Sequence, residues 1–169
     1  MTPSPSIRLA READARAIGV LVRRVTRQDV LPDQSARAAA HLMETMSARN
    51  ERVRIRDGMR YHVAEIGGRI VGVVATRDDS HVFRLFVSRR WRGLGIARRL
   101  LDRAVADCRK RAGTRSITLN ASPFAVAAYR RLGFVSKGRL IARGPAGVVA
   151  MPMVLEFGQP SPTRHRRHN

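Results

Sequence analysis

The stretch FVSRRWRGLGIARRLL, Phe86 to Leu101, decides how this chain reads. A β-like run ends at Val87, and a helical run begins near Ile96. Between them two glycines, Gly93 and Gly95, interrupt a row of arginines. A strand that ends in a Gly-rich turn with a helix start behind it is a geometry that binds phosphate. The first turn of a helix leaves about four N–H groups without intrahelical partners. The macrodipole adds roughly half a positive charge there. Glycine removes the side chain that would block close approach, and Arg89, Arg90 and Arg92 add full charges. Trp91 suits either an adenine ring or simple packing.

Working outward, the helix after the glycines shows the clearest periodicity. Ala97, Leu100, Leu101, Ala104, Val105 and Cys108 recur at steps of three and four. Gly113 is placed to end it in the left-handed conformation. Upstream, RYHVAEI and RIVGVVATR flank Gly67-Gly68, a hairpin signal. HVFRLFV, His81 to Val87, follows as a further strand after Asp78-Asp79-Ser80. Before these, SIRLA reads as a first strand. Ile18, Leu21, Val22 and Val25 mark one helix, which LPD at Leu31–Asp33 breaks. Ser35 is an N-cap for a second helix with Ala39, Leu42, Met43 and Met46 on its apolar face. Downstream, SITLNA reads as a strand and Ser122-Pro123 opens a short helix that stops at Gly133. GRLIAR and VVAMPMVLEF form a last hairpin around Gly144–Gly147.

Three phosphate-binding readings compete for the loop. A Walker loop needs Gly-Lys-Ser/Thr, which GLGIARRL lacks. A dinucleotide loop needs a third glycine early in a βαβ unit. Arg98 stands at that place, after three strands of antiparallel type. The third reading agrees with the rest of the chain. Arg90-Trp91-Arg92-Gly93-Leu94-Gly95, followed by Ile96-Ala97, closely resembles the Arg/Gln-x-x-Gly-x-Gly/Ala signature of the GNAT (GCN5-related) N-acetyltransferase superfamily. LNASPFAVAAYRRLGF, Leu119 to Phe134, resembles that family's later block, in which an Asn ends a strand and a Tyr lies in the next helix before Gly-Phe.

The resemblance covers about residues 6 to 157. It implies an α/β fold with a mixed, mostly antiparallel central sheet of six to seven strands and about four flanking helices. It also implies a cofactor, acetyl-CoA, whose pyrophosphate the loop would cradle. Cofactor contacts then fall on Arg89, Arg90, Trp91, Arg92, Gly93, Leu94, Gly95, Ile96 and Ala97. Backbone groups of Leu85, Phe86 and Val87 would hold the acetyl carbonyl and the pantetheine amide, because the family splays this strand from the next. Asn120 resembles the residue that bonds the pantetheine arm or the helix end. Tyr129 matches the family's proton donor to the leaving thiolate.

Acetyl transfer to an amine has two proton problems. A Lys-like amine, with pKa about 10.4, is neutral in only about one molecule in 2,500 at pH 7. That population corresponds to roughly 4–5 kcal/mol of barrier, which a base can offset. His81 shares the parity of Phe83, Leu85 and Val87 and is expected to point into the channel as that base. Glu65 in the second strand is the alternative, and water is a third.

At 169 residues the chain fits one domain, here residues 1–158, with 159–169 as a basic, disordered tail. One Cys, Cys108, excludes an internal disulfide and a Cys-rich zinc site, and its place on an apolar stripe predicts burial. No metal is expected. MTPSPSIRL has no apolar signal region and no apolar run is long enough to span a membrane, so a cytoplasmic protein is expected. The net charge is +20, and of 33 basic residues only Lys110 and Lys137 are lysine. Such charge attracts any polyanion. It leaves three alternatives to an N-acetyltransferase acting on a small molecule, peptide or protein: acetylation of aminoacyl-tRNA, nucleic-acid binding without catalysis, and CoA binding without turnover. Monomer and homodimer are both open.

Overall fold

Apolar spacing at the N-terminal end carries over directly into structure. The computed structural model describes residues 3–157; the tail reading lies outside them. Strand β1 (Ser6–Leu9) leads to helix α1 (Ala15–Val25), which buries Ile18, Leu21, Val22 and Val25 as its spacing demands. One wide turn, Thr26–Val30, and one tight turn, Leu31–Asp33, end it. Helix α2 (Ala36–Thr45) starts at Ser35, whose hydroxyl accepts from the Ala38 N–H. Helix α3 (Ala48–Arg56) was not expected, although Ser47 caps it in the same way. Its inward residue is not apolar but a fully buried carboxylate, Glu51. Arg84, Arg54 and the hydroxyl of Tyr61 all donate to Glu51. A buried charge needs such partners, and hydrophobic periodicity cannot see them.

Strands β2 (Arg60–Ile66), β3 (Arg69–Arg77) and β4 (His81–Val87) form the expected meander. Helix α4 (Ile96–Ala112) ends at Gly113 with φ +63°. Strand β5 (Ser116–Ala121), helix α5 (Val126–Arg131), β6 (Val135–Ser136), β7 (Ile141–Arg143) and β8 (Val148–Glu156) complete the chain. The sheet order is β1-β2-β3-β4-β5-β8-β6, with β7 paired to β8. The mixed α/β class holds, with one strand (β6) and one helix (α3) more than expected. Ser122 opens the last helical segment by its backbone, but its side chain makes no capping bond.

Two cores flank the sheet. One packs α4 on Leu85, Val87, Ile117 and Leu119, and Cys108 is buried there. The other packs α1 on Tyr61, Val63 and Val73. Helices α1 and α3 touch at Gly19, where an added Cβ would lie 3.1 Å from the backbone N and Cα of Ala48. Helix propensity alone favours Ala over Gly by about 1 kcal/mol. Here the contact is with backbone fixed by the Ser47 cap, so overpacking wins. Gly19→Ala is expected to lower stability by about 1–3 kcal/mol in urea denaturation; a more stable variant would contradict this packing.

Candidate active site at the opening between β4 and β5

β4 and β5 are parallel neighbours, yet they pair only at His81↔Thr118 and Val82↔Leu119. Beyond Val82 the strands part. On its other side β4 stays paired with β3 through Val87. The opening therefore exposes one edge of β4. The carbonyl of Leu85 accepts from the Tyr129 hydroxyl at 3.5 Å, and that of Val87 accepts from Arg92 Nε at 3.1 Å. Both carbonyls thus face away from β3. In an extended strand, a residue's N–H and C=O point the same way, so the N–H groups of Leu85 and Val87 face the opening too.

The opening widens into a cavity of about 850 Å³, within the roughly 300–1,000 Å³ typical of ligand pockets. It is lined by Leu85, Phe86, Val87, Trp91, Arg92, Gly93, Gly95, Ile96, Ala97, Asn120, Tyr129 and His81. Twelve of the fifteen residues singled out in the sequence thus line one cavity. Arg89, Arg90 and Leu94 do not line it. Glu65 is also elsewhere: it sits in β2 at the far side of the sheet, held by Arg8 at 2.8 Å. Its carboxylate is therefore no base for this cavity.

The glycine loop takes the form its sequence suggests. Gly93 and Gly95 have φ of +77° and +75°, which only glycine adopts without strain. A Cβ on either would meet no protein atom within 4 Å. The first backbone bond of α4 runs from Arg99 N–H to Gly95 O, so the N–H groups of Ile96, Ala97 and Arg98 have no helical partner.

The arginines behave differently from expectation. Arg89 and Arg92 do not stand free over the loop, because both bind the buried carboxylate of Asp29, Arg89 at 2.6 Å. Burial pushes the Asp29 carboxyl up, but Arg92 and then Arg89 outweigh it and hold it below the ordinary carboxylate range. This clamp ties the turn after α1 to the end of β4. Arg90 lies over the Trp91 ring at 5.6 Å. Arg98, in the position of the missing third glycine, donates to the carbonyls of Arg131 and Leu132 and so caps α5. The loop's affinity for an anion therefore rests on backbone N–H groups more than on guanidinium charge.

His81 shows a second departure. The pairing of β4 with β3 shifts between Ala75 and Thr76, leaving Phe83 as an extra residue. Such a bulge reverses the facing of everything before it. Val82, Leu85 and Val87 therefore share the α4 core, while His81, opposite Thr118, lies on the other face with Arg84 and Phe86. The parity argument for His81 fails for this reason, yet the residue still lines the cavity, from the side of α1 and α2. Its Nδ1 is 2.8 Å from Thr118 Oγ1. Burial, followed by the charges of Arg77 and Arg143, moves its pKa below the ordinary imidazole value.

Tyr129 edges against Phe134, with ring centroids 5.7 Å apart. Desolvation pushes its hydroxyl up to about 12. Asn120 is exposed at the cavity wall. Two polar links roof the cavity that sequence reading did not anticipate. The Gln34 amide makes two bonds to the backbone of Val149, at 2.9 and 2.8 Å, and the Asp33 carboxylate accepts from the Phe124 N–H. Both join the α1–α2 connection to the far rim, which no local pattern signals. Leu42 of α2 and Met46 at its C-terminal end line the cavity, which explains why Leu42 is only partly covered.

A GNAT acetyltransferase domain is what this fold and opening define. The family model described as "Acetyltransferase (GNAT) domain" matches residues 29–157, and the chain belongs to that family. A GCN5-related N-acetyltransferase from Rhodopseudomonas palustris is 18% identical with a TM-score of 0.75, covering 93% of this chain and 99% of that one. The PaiA N-acetyltransferase of Thermoplasma acidophilum, solved in complex with coenzyme A, is 16% identical with a TM-score of 0.72, covering 91% and 99%. YncA of Salmonella typhimurium, a putative acetyltransferase solved with acetyl-CoA, is 20% identical with a TM-score of 0.62, covering 94% and 96%. At these identities the likeness concerns the fold. A search of curated proteins gave no match. Among the described residues no helix is long and apolar enough to cross a membrane.

Proposed function

We propose that the protein is an acetyl-CoA-dependent N-acetyltransferase that acetylates an amine. The observation that carries this is the strand opening with the glycine loop at its end. Backbone N–H groups of Leu85 and Val87 face the opening, and those of Ile96 and Ala97 lack partners. The empty space in front of Gly93 and Gly95 fits phosphates held by backbone alone. Acetyl-CoA, when bound, supplies an activated thioester whose acetyl group passes to the amine.

His81 is the proposed base. A relay from Nδ1–H to Thr118 and on to the Ser80 carbonyl, at 2.8 and 3.5 Å, leaves Nε2 with its lone pair for the amine proton. Tyr129 serves the leaving thiolate. A thiol of pKa about 8.5 is a stronger acid than this phenol, by an amount worth about 5 kcal/mol. The hydroxyl therefore stabilises the sulfur by donating a hydrogen bond and keeps its proton.

The test is calorimetric titration with acetyl-CoA. Gly93→Ala places a Cβ where nothing of the protein lies, at a φ that costs an L residue about 1–2 kcal/mol. It is expected to stay folded and to bind acetyl-CoA at least about tenfold more weakly. Unchanged affinity in a folded variant would remove the loop from the cofactor site. Loss of binding shared equally by nucleic acid as salt rises from 50 to 200 mM would instead favour a polyanion reader.

A further inference from the structure

Among the described residues, the charged side chains lining the His81 end of the cavity are arginines; Asp78, the carboxylate that acts on His81, is exposed and lies 3.8 Å from Arg77. Arg84 and Arg143 line it beside His81. The single lining carboxylate, Asp29, already holds two guanidinium groups. Beneath this end Arg54, Arg77 and Arg84 surround the Phe83 ring at 5.1, 5.8 and 4.4 Å. The one buried carboxylate among them, Glu51, is shared by Arg54, Arg84 and Tyr61. Arg84 is 6% exposed, and its Nε–H has no acceptor. A buried donor left unpaired costs about 1–3 kcal/mol, which an acceptor oxygen in the adjoining cavity would relieve. Arg143, on the edge strand β7, is exposed and has no acidic partner among the described residues. The phosphate loop does not account for these groups. It lies past Val87, the opposite end of a seven-residue strand, roughly 20 Å from His81 and roughly 10 Å from Arg84 at strand rise. Other lining residues of the cavity, Leu42, Met46, Val148 and Ala150, are apolar, and the Gln34 amide is already bonded to Val149.

An acceptor entering this space meets the guanidinium groups of Arg84 and Arg143, and the lining carboxylate, Asp29, is already paired. A polyamine or a lysine-rich peptide would be repelled from it. We infer that the acceptor is a small primary amine that also carries a carboxylate on an apolar body, with Arg143 taking the carboxylate and Arg84 supplying fixed positive charge beneath it. This rests on the acetyltransferase reading above. Burial is the main cause of the depressed His81 pKa; Arg77 and then Arg143 add to it, against Asp78. A bound carboxylate would offset the arginine charge and leave the imidazole a better base once the acceptor is in place.

The test follows free-thiol release from acetyl-CoA with the twenty amino acids, their carboxamides, spermidine and a lysine-rich peptide. The matched carboxamide is the stricter control. Its amine is less basic, so more of it is neutral, and that bias works against the proposal. At least one amino acid with an apolar side chain should be consumed with kcat/KM about tenfold or more above its carboxamide. Arg143→Gln should erase most of that preference through KM, and Arg143→Glu should reverse it. Preference for carboxamides or spermidine would overturn the inference. So would acetyl-CoA binding with no amino acid consumed, or a preference untouched by both Arg143 variants. If calorimetry shows that acetyl-CoA does not bind at all, the acetyltransferase reading fails first and this inference falls with it.

Discussion

Tyr129→Phe is expected to keep acetyl-CoA affinity and to lower turnover by about 10²–10³-fold, the range for removing one donor from a developing charge. The ring would still pack, because its edge contact with Phe134 involves no hydroxyl. Only the hydrogen bond is lost. Its present acceptor, the Leu85 carbonyl, is 3.5 Å away, at the limit of a bond. The hydroxyl is thus weakly held and free to turn to a thiolate in the opening. Because its pKa is pushed up to about 12, it stays protonated across the working range. The effect should therefore be independent of pH below about 10. Single-turnover measurement of thiol release checks this; a chemical step unchanged in Phe would assign Tyr129 to packing alone.

His81→Gln is expected to cost about 10²–10⁴-fold in the chemical step and to change the shape of the pH profile. The sign follows from the shift. Burial, Arg77 and Arg143 all disfavour the charged imidazole, so its pKa lies below 6.5. His81 is then neutral at pH 7 and loses base function only as pH falls through that lowered value. The acidic limb due to His81 should lie below pH 6.5 and vanish in the Gln variant. Gln can keep a bond to Thr118 but cannot accept the proton at neutral pH. Deprotonation of the acceptor amine produces a limb of its own at higher pH, which should persist in both proteins. One acceptor and saturating acetyl-CoA are needed for the comparison. An unchanged plateau and an unmoved acidic limb would leave deprotonation to water, since Glu65 is held by Arg8 away from the cavity.

The parts legible in the sequence were those written as periodicity or as glycine. α4, the β2–β3 hairpin and the Gly93–Gly95 loop are of this kind. α3 was missed because its buried face is Glu51, and a carboxylate inside reads as a surface residue until Tyr61, Arg54 and Arg84 are known to meet it. The facing of His81 was misread because strict alternation assumes no bulge, and Phe83 is one. Arg89 and Arg92 were read as ligands for an anion. Their partner, Asp29, lies about sixty residues earlier in a turn after α1, and only the fold brings them together. The strand opening itself has no local signal. β5 continues past Leu119 along β8 instead of β4, a choice made by the whole sheet.

In the proposed complex acetyl-CoA lies along β4 with its phosphates on the loop before α4. Amide chemical-shift mapping during titration with acetyl-CoA tests this directly. The largest changes are expected at the N–H groups of Leu85, Val87, Gly93, Gly95, Ile96 and Ala97. A contradictory result would leave those amides unmoved, or place the changes in the arginine-lined groove beside α1, at Arg16, Arg23, Arg24 and Arg27.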